Sequence, residues 1–508
     1  MRNLVVCADG TWNSKDNKDG DAPAPTNVAK LDASAPDIET GSKQQLTYYH
    51  EGVGASGTWL ERKLGGGFGF GLNDNIKSIY KWLCCNYKAK DKIFLFGFSR
   101  GAFTVRTLAG MVDKIGVMDF VEPNLSQAEI WSKVDEAFEI YRDENNDDTS
   151  PLSRDETVLN KTNIHFLGVW DTVGSLGIPD ELALLNLFEP ANKYSFHNTT
   201  LGMYVQHARH AIAMDERRRN FTPTLWTGYD EKERDIKQVW FPGVHSDIGG
   251  GYAETELSDL PFKWMIEEAM EHGLIIRDGV MEQMKGNAQG LLHNSVTGIF
   301  EKLKTRPRAT PKVANASKSK NIHKSVFDRQ KNPPLTQPNY WPTKIFAKGK
   351  TLKMDVFARQ RWNYTGVYLE AGQSYELTAS GEWLDASMKA NANGIKKYSA
   401  FGRVIHASGS TIGIFEKLFK KLSGNNQVDA KLTKRMEEPD WFALIGVIAN
   451  GGGTDNKNGN PIDHQTFTIG EQYTLTPGKS GYLYCFANDA WNFYDNNRGS
   501  VALEIKHV

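Results

Sequence analysis

The stretch from Lys92 to Val112 most constrains what this chain can fold into. The apolar run Lys92-Ile93-Phe94-Leu95-Phe96-Gly97-Phe98 leads into Ser99-Arg100-Gly101, and helix-forming residues follow from Ala102 to Val112. Gly-x-Ser-x-Gly between a buried strand and a helix is the sequence form of a sharp turn that presents a serine. Gly97 and Gly101 remove side chains that would collide where strand and helix pass close together. The helix start behind Ser99 offers N–H groups and a partial positive charge to an anion forming there. The pentapeptide alone could arise by chance in a chain with 47 glycines. The strand before it and the helix after it give it weight.

The same alternation recurs along the first two-thirds of the chain. Residues 3–8 and Gln45 to His50 read as buried strands, and Asn75 to Tyr87 has helical spacing. Asn163 to Trp170 is a further strand, ending on Asp171, and Gln238 to Val244 is another, ending on His245. Tyr204 to Met214 reads as a helix carrying His207 and His210. Strand, loop, helix, strand is the rhythm of an α/β fold with a mostly parallel sheet. From about residue 354 the texture changes to short alternating runs with frequent turn signals, which predicts an all-β sandwich or jelly roll over 354–508. The 508 residues are too many for one core, and the expected division is 1–345 and 354–508. An acidic insertion is expected at about 120–160. Residues 301–353 hold 14 Lys/Arg against 2 Asp/Glu, and 305–353 is read as a solvated linker.

Bulk composition excludes several function classes. Net charge is −1, so nothing global points to nucleic acid. The four cysteines, Cys7, Cys84, Cys85 and Cys485, show no metal or disulfide spacing and read as buried thiols. No signal peptide is expected at the start of the sequence, and no run approaches the ~20 apolar residues of a membrane span. The expectation is a chain made in the cytoplasm that other machinery must export if it acts elsewhere.

Ser99, Asp171 and His245 each follow an expected strand, in the chain order serine, acid, histidine of α/β-hydrolases. Ends of parallel strands share one edge of a sheet, so distant residues can meet there. His245 would take the Ser99 proton, and Asp171 would fix the imidazole tautomer and stabilise the imidazolium. The oxyanion would be met by the Arg100 N–H and by the Asp9-Gly10-Thr11 loop, with Glu51-Gly52 as second choice. Asp247 is the alternative acid, although two residues from His245 it would more easily serve a turn or cap. His207, His210 and His50 read as structural. The hydrolase chemistry calls for no cofactor.

Five motifs in order resemble those of the Tle1-like α/β-hydrolases. They are Cys-Ala-Asp9-Gly-Thr-Trp-Asn, Tyr-His-Glu-Gly52-Val-Gly, Gly-Phe-Ser99-Arg-Gly-Ala, Val-Trp-Asp171-Thr-Val-Gly and Pro-Gly-Val-His245-Ser-Asp-Ile-Gly-Gly-Gly-Tyr. The resemblance covers about residues 1–345, including Ala208-Arg-His-Ala-Ile-Ala-Met-Asp-Glu-Arg-Arg. It implies a Ser-Asp-His esterase of phospholipase A type. It also implies a bacterial antibacterial effector of type VI secretion, with a secretion spike protein and an immunity protein as partners and the periplasm of a target cell as destination. The rivals are a carboxylesterase on another ester and a carbohydrate-binding protein with an inactive hydrolase domain.

Phe486-Ala-Asn-Asp489-Ala-Trp-Asn-Phe493-Tyr-Asp-Asn496-Asn497 is similar to the ligand loop of bacterial calcium-dependent galactose-binding lectins. That resemblance implies calcium held by Asp489, the Phe493 carbonyl, Asn496, Asn497 and a carbonyl near Asp385, with a carbohydrate as ligand. A dense set of Asp and Asn oxygens suits calcium, and equally an ordinary turn. Two stretches are candidates for meeting a phospholipid bilayer: the apolar residues 180–204, where a lid would sit, and the basic amphipathic residues 412–422.

Overall fold

A computed structural model describes residues 1–11, 13–52, 70–120, 125–143, 159–174, 201–230, 232–316, 319–395, 434–455 and 460–508. The lid stretch expected at 180–204, apart from its last residues, and the whole of 412–422 lie outside the described residues, as does much of the acidic insertion.

Six parallel strands form the first sheet, in the order Asp235–Phe241, Val205–Ala213, Ile164–Trp170, Lys92–Phe98, Arg2–Ala8 and Gln44–His50. Its central strands are apolar on both faces because both faces are covered. Leu4, Val6, Ile93, Leu95, Leu167 and Val169 pack against helices Phe70–Asn86, Arg100–Ile115 and Gln127–Arg142. Val5, Cys7, Phe94, Phe96 and Phe166 face helices Asn27–Ser34 and Asp259–Glu271. The period-2 alternation of strand side chains makes this division. Cys7, Cys84 and Cys485 are buried, Cys85 is half-buried, and none is in a disulfide.

The described residues of 351–508 form two antiparallel sheets around a second core. One has the order Met388–Ala390, Trp383–Asp385, Asn497–His507, Tyr375–Ser380 and Gln472–Leu475, with Thr351–Phe357 also on Asn497–His507. The other runs Asn363–Leu369, Gly481–Ala487, Leu444–Ala449 and Gln465–Thr468. Inward residues of both sheets, among them Trp383, Leu503, Leu444 and Leu483, share one apolar cluster, as in a β-sandwich.

Two expectations fail. The stretch expected as a helix from Tyr204 to Met214 is the strand Val205–Ala213, inserted between two others. Its alanines and the spacing of Val205, Ala208 and Ile212 suit a helix. Backbone pairing on both sides overrides that local preference. The basic segment is also no solvated linker. Arg306, Arg308, Thr310, Val313 and Arg329 are buried, and Lys324–Lys331 is a helix. Val313, Ile322, Val326 and Tyr340 close an apolar cluster on Ile212, Met214 and Trp240 of the parallel sheet.

Candidate active site

Ser99 leaves the strand Lys92–Phe98 with φ 57° and ψ −119°, one of the few non-glycine residues at positive φ. Its N–H donates to the Trp170 carbonyl at 3.1 Å, and its carbonyl accepts from the Phe103 N–H at 3.2 Å, opening the helix Arg100–Ile115. Such a conformation costs about 1–3 kcal/mol and persists where the surroundings enforce it. Here the enforcement is close packing. A Cβ on Gly97 would lie 2.5 Å from the Gly101 carbonyl oxygen, and one on Gly101 would overlap the Ala8 and Asp9 carbonyls.

Asp171 and His245 meet beside this turn. Trp170 is the register partner of Phe98, so Asp171 and Ser99 emerge side by side from neighbouring strands. His245 Nδ1 lies 2.6 Å from Asp171 Oδ2. His245 is not the end of its strand, which closes at Phe241. It opens the short helix His245–Gly249 four residues further on. Its ring centroid sits 4.6 Å from that of Phe98 and 4.9 Å from that of Phe221. With Nδ1 committed to the carboxylate, Nε2 is the nitrogen available as a base. Burial holds the His245 pKa below its ordinary value, against the opposing pull of Asp171.

Asp171 is fully buried and accepts on both oxygens. Oδ1 receives the Ala213 N–H at 2.9 Å and Arg308 Nη1 at 2.6 Å. Oδ2 receives Arg308 Nη2 at 2.9 Å as well as His245. Burial raises its proton affinity, but the Arg308 charge and the hydrogen bonds outweigh that and hold the carboxyl well below the usual range. His210, also fully buried, accepts the Thr172 N–H on Nε2 at 3.1 Å, and burial lowers its pKa to about 3. It supports the turn that follows Asp171 as a neutral ring.

The Asp9-Gly10-Thr11 loop lies against the serine. A Cβ on Gly10 would come within 3.3 Å of Ser99 Cβ. Asp9 pins the loop by accepting from Thr26 Oγ1 at 2.6 Å and Tyr49 OH at 2.7 Å, and burial lifts its pKa to about 6. Its Oδ1 also takes the Gly10 N–H at 2.7 Å, so that donor is engaged. The Gly52 N–H donates to the Asn13 carbonyl, which makes Gly52 part of the loop's support. Arg100 and Thr11 then carry the oxyanion expectation. Arg100 is the first residue of the helix Arg100–Ile115, directly after Ser99.

Asp247, the alternative acid, is paired with His293 and not with His245. It takes the Val244 N–H at 2.9 Å on Oδ2 and pairs with His293 Nδ1 at 2.6 Å through Oδ1. His207, read from the sequence as structural, has Asp235 and His272 beside it, at the opposite end of the parallel strands from Ser99. Arg209 Nη2 sits 3.0 Å from Asp235 Oδ2 and 3.5 Å from His272 Nε2, so a guanidinium already supplies the positive charge there. Two groups at the active site escape sequence reasoning. Glu216, buried and paired with Arg218, accepts the His245 N–H at 3.2 Å. Arg308 lies in the supposed linker. Glu216 stands in the quoted Met-Asp-Glu-Arg-Arg run, which was a usable signal. Arg308 has no local signal.

In the sandwich, the lectin-like loop brings its polar residues together. Asn497 Nδ2 donates to Asp489 Oδ2 at 2.9 Å, and Asn496 Nδ2 to Asp385 Oδ1 at 3.0 Å. Asp489 is buried near Asp385, and burial first, offset by the Asn497 bond and with Asp385 adding to it, raises its pKa to about 7. Among the described residues Asn497 Oδ1 is buried without a partner. The Phe493 ring is exposed. A carboxylate, an orphaned amide oxygen and a second acid nearby fit a hard cation.

Known proteins place the chain. A Saccharomyces cerevisiae protein, uncharacterized protein YEL023C, is 30% identical over 249 residues, covering 44% of this chain and 33% of that protein. The chain therefore spans about a third of this curated relative's length. Among solved structures, the Tle1 effector bound to the VgrG spike of the type 6 secretion system aligns at 19% identity and TM-score 0.30, covering 50% of this chain and 52% of that one. A PllA-like lectin, the EclA N-terminal domain, aligns at 17% identity and TM-score 0.19, covering 31% of this chain and 95% of that one. The family model described as type VI secretion system phospholipase effector Tle1-like, catalytic domain, matches residues 2–268, more than half of the sequence, and the chain belongs to that family.

Proposed function

We infer that this protein is a serine esterase of phospholipase A type. The observation that carries the reading is Ser99 at positive φ beside a buried His245–Asp171 pair bonded at 2.6 Å. His245 Nε2 takes the Ser99 hydroxyl proton as Oγ bonds to the acyl carbon of a phospholipid. The carbonyl oxygen becomes an oxyanion, met by N–H groups of Arg100 and Thr11. Collapse expels the lysolipid oxygen, which takes the proton from His245. Water, deprotonated by the same nitrogen, then attacks the acyl carbon, and Ser99 Oγ leaves with that proton as the fatty acid is released. Family membership supports a phospholipid substrate and export by a type VI machine. A spike protein as carrier, an immunity protein as antagonist and the target cell's periplasm as destination complete the reading. Among the described residues no helix is long and apolar enough to cross a membrane.

The test is fatty-acid release from defined phospholipid vesicles by the wild type and Ser99→Ala. Loss in the variant is expected, and equal release would remove the mechanism. Release from short-chain esters but not from phospholipid would favour the carboxylesterase reading.

A second reading concerns the sandwich. Calcium there would be held by Asp489 and Asn497, with Asn496 and the Phe493 carbonyl as further ligands, and would offer coordination sites to carbohydrate hydroxyls. The orphaned Asn497 Oδ1 supports it.

A further inference from the structure

The acid of the active site is held by a residue from the basic segment. Arg308 is buried, and its two terminal nitrogens fork onto the two oxygens of Asp171 at 2.6 and 2.9 Å. The same nitrogens donate to the Ala213 and Phe221 carbonyls, each at 2.6 Å. A bidentate guanidinium fixes the plane of a carboxylate as well as its charge. A fully buried carboxylate with no such partner would take up a proton and could no longer stabilise an imidazolium.

The segment carrying Arg308 is in turn held by the sandwich. Trp362 Nε1 donates to Thr305 Oγ1 at 3.1 Å. Arg306 Nη2 donates to the Gly451 carbonyl at 3.0 Å and the Ile462 carbonyl at 2.8 Å, with the His464 ring alongside. Beyond Arg308, the Val313 N–H donates to Tyr482 OH at 2.8 Å. On the hydrolase side the Arg306 N–H donates to the Arg217 carbonyl at 2.8 Å. The strap is therefore pinned to the sandwich before and after the arginine.

We propose that Arg308 is a positioning residue for hydrolysis, acting through Asp171, and that the β-sandwich sets its place by clamping the strap at Arg306. This rests on the Ser99, Asp171 and His245 reading. Removing the cation raises the proton affinity of the Asp171–His245 pair whichever partner takes the proton, so the acid limb of activity moves to higher pH.

The experiment measures kcat and KM for fatty-acid release from mixed micelles between pH 5 and 9, on the full chain. Arg308→Gln should lose about 100-fold or more in kcat with KM little changed, and its acid limb should move up. Arg308→Lys should recover part of the rate. In an Asp171→Asn background, Arg308→Gln should cost nothing further, because its route is already cut. Arg306→Gln should move the limb in the same direction with a smaller loss. Wild-type kcat and limb in Arg308→Gln, or losses that multiply in the double variant, overturn the proposal. An unmoved limb in Arg306→Gln overturns the sandwich's part. If Arg308→Gln does not fold, Arg308→Lys decides by its limb, with an unmoved limb and full rate counting against. Ser99→Ala separates the two layers: activity there sinks the triad itself, whereas an inactive Ser99→Ala with an unaffected Arg308→Gln sinks this proposal alone.

Discussion

The Ser99 N–H donates to the Trp170 carbonyl at 3.1 Å. This bond carries the parallel ladder one step past the strand end. It ties the candidate nucleophile to the residue just before Asp171, and so sets the spacing between the two through backbone alone. At about 4.8 Å between neighbouring strands, two residues so placed can share one imidazole.

The strained turn gives a stability prediction. Ser99→Gly should relieve the positive-φ cost and be more stable than Ser99→Ala by about 1 kcal/mol, while both are inactive. Urea unfolding of the two variants measures the difference. Equal midpoints would mean the backbone there stores no strain.

Close packing at the elbow gives another. Gly101→Ala forces a methyl into the Ala8 and Asp9 carbonyls. The expected cost is about 1–3 kcal/mol, with a parallel loss of activity as the first strand and the helix part. A thermal melt indistinguishable from wild type would show that the strand and helix yield freely.

Hydrolysis should persist below pH 6.5, because burial lowers the His245 pKa. The kcat/KM profile should fall only as pH drops through that lowered value, and a midpoint at or above 7 would contradict it. Stability has the same sign. Between the unfolded histidine value and the folded one the unfolded chain binds more protons, so stability contributed by neutral His245 is lost as pH falls. The Asp171 contribution, from a depressed carboxyl, is present above the unfolded carboxylate value and survives until pH falls through its lower folded value.

For the sandwich, calcium should raise the melting temperature, and Asp489→Ala should abolish the rise. Because burial lifts Asp489 to about 7, binding the cation must expel a proton from much of the population at lower pH. The calcium shift should therefore be larger at pH 8 than at pH 6. A shift independent of pH would mean the carboxylate is not a ligand.

The strand, the Gly-x-Ser-x-Gly turn and the helix after it were legible because each rests on local chemistry: apolar alternation, two missing side chains and a helix start. Ser99 and Asp171 were legible for the same reason, since a parallel sheet gathers strand ends on one edge, whereas His245 stands past its strand at the start of a short helix. The strand Val205–Ala213 was not, because its residues suit a helix and only pairing on both sides made it a strand.

The sequence by itself determined which residues could act: Ser99, Asp171 and His245, each following a strand in the chain. Tertiary structure decided how Asp171 is held. Arg308 is 137 residues from Asp171. No periodicity or spacing links two side chains so far apart, and the charge of a buried carboxylate is settled only by what folds against it.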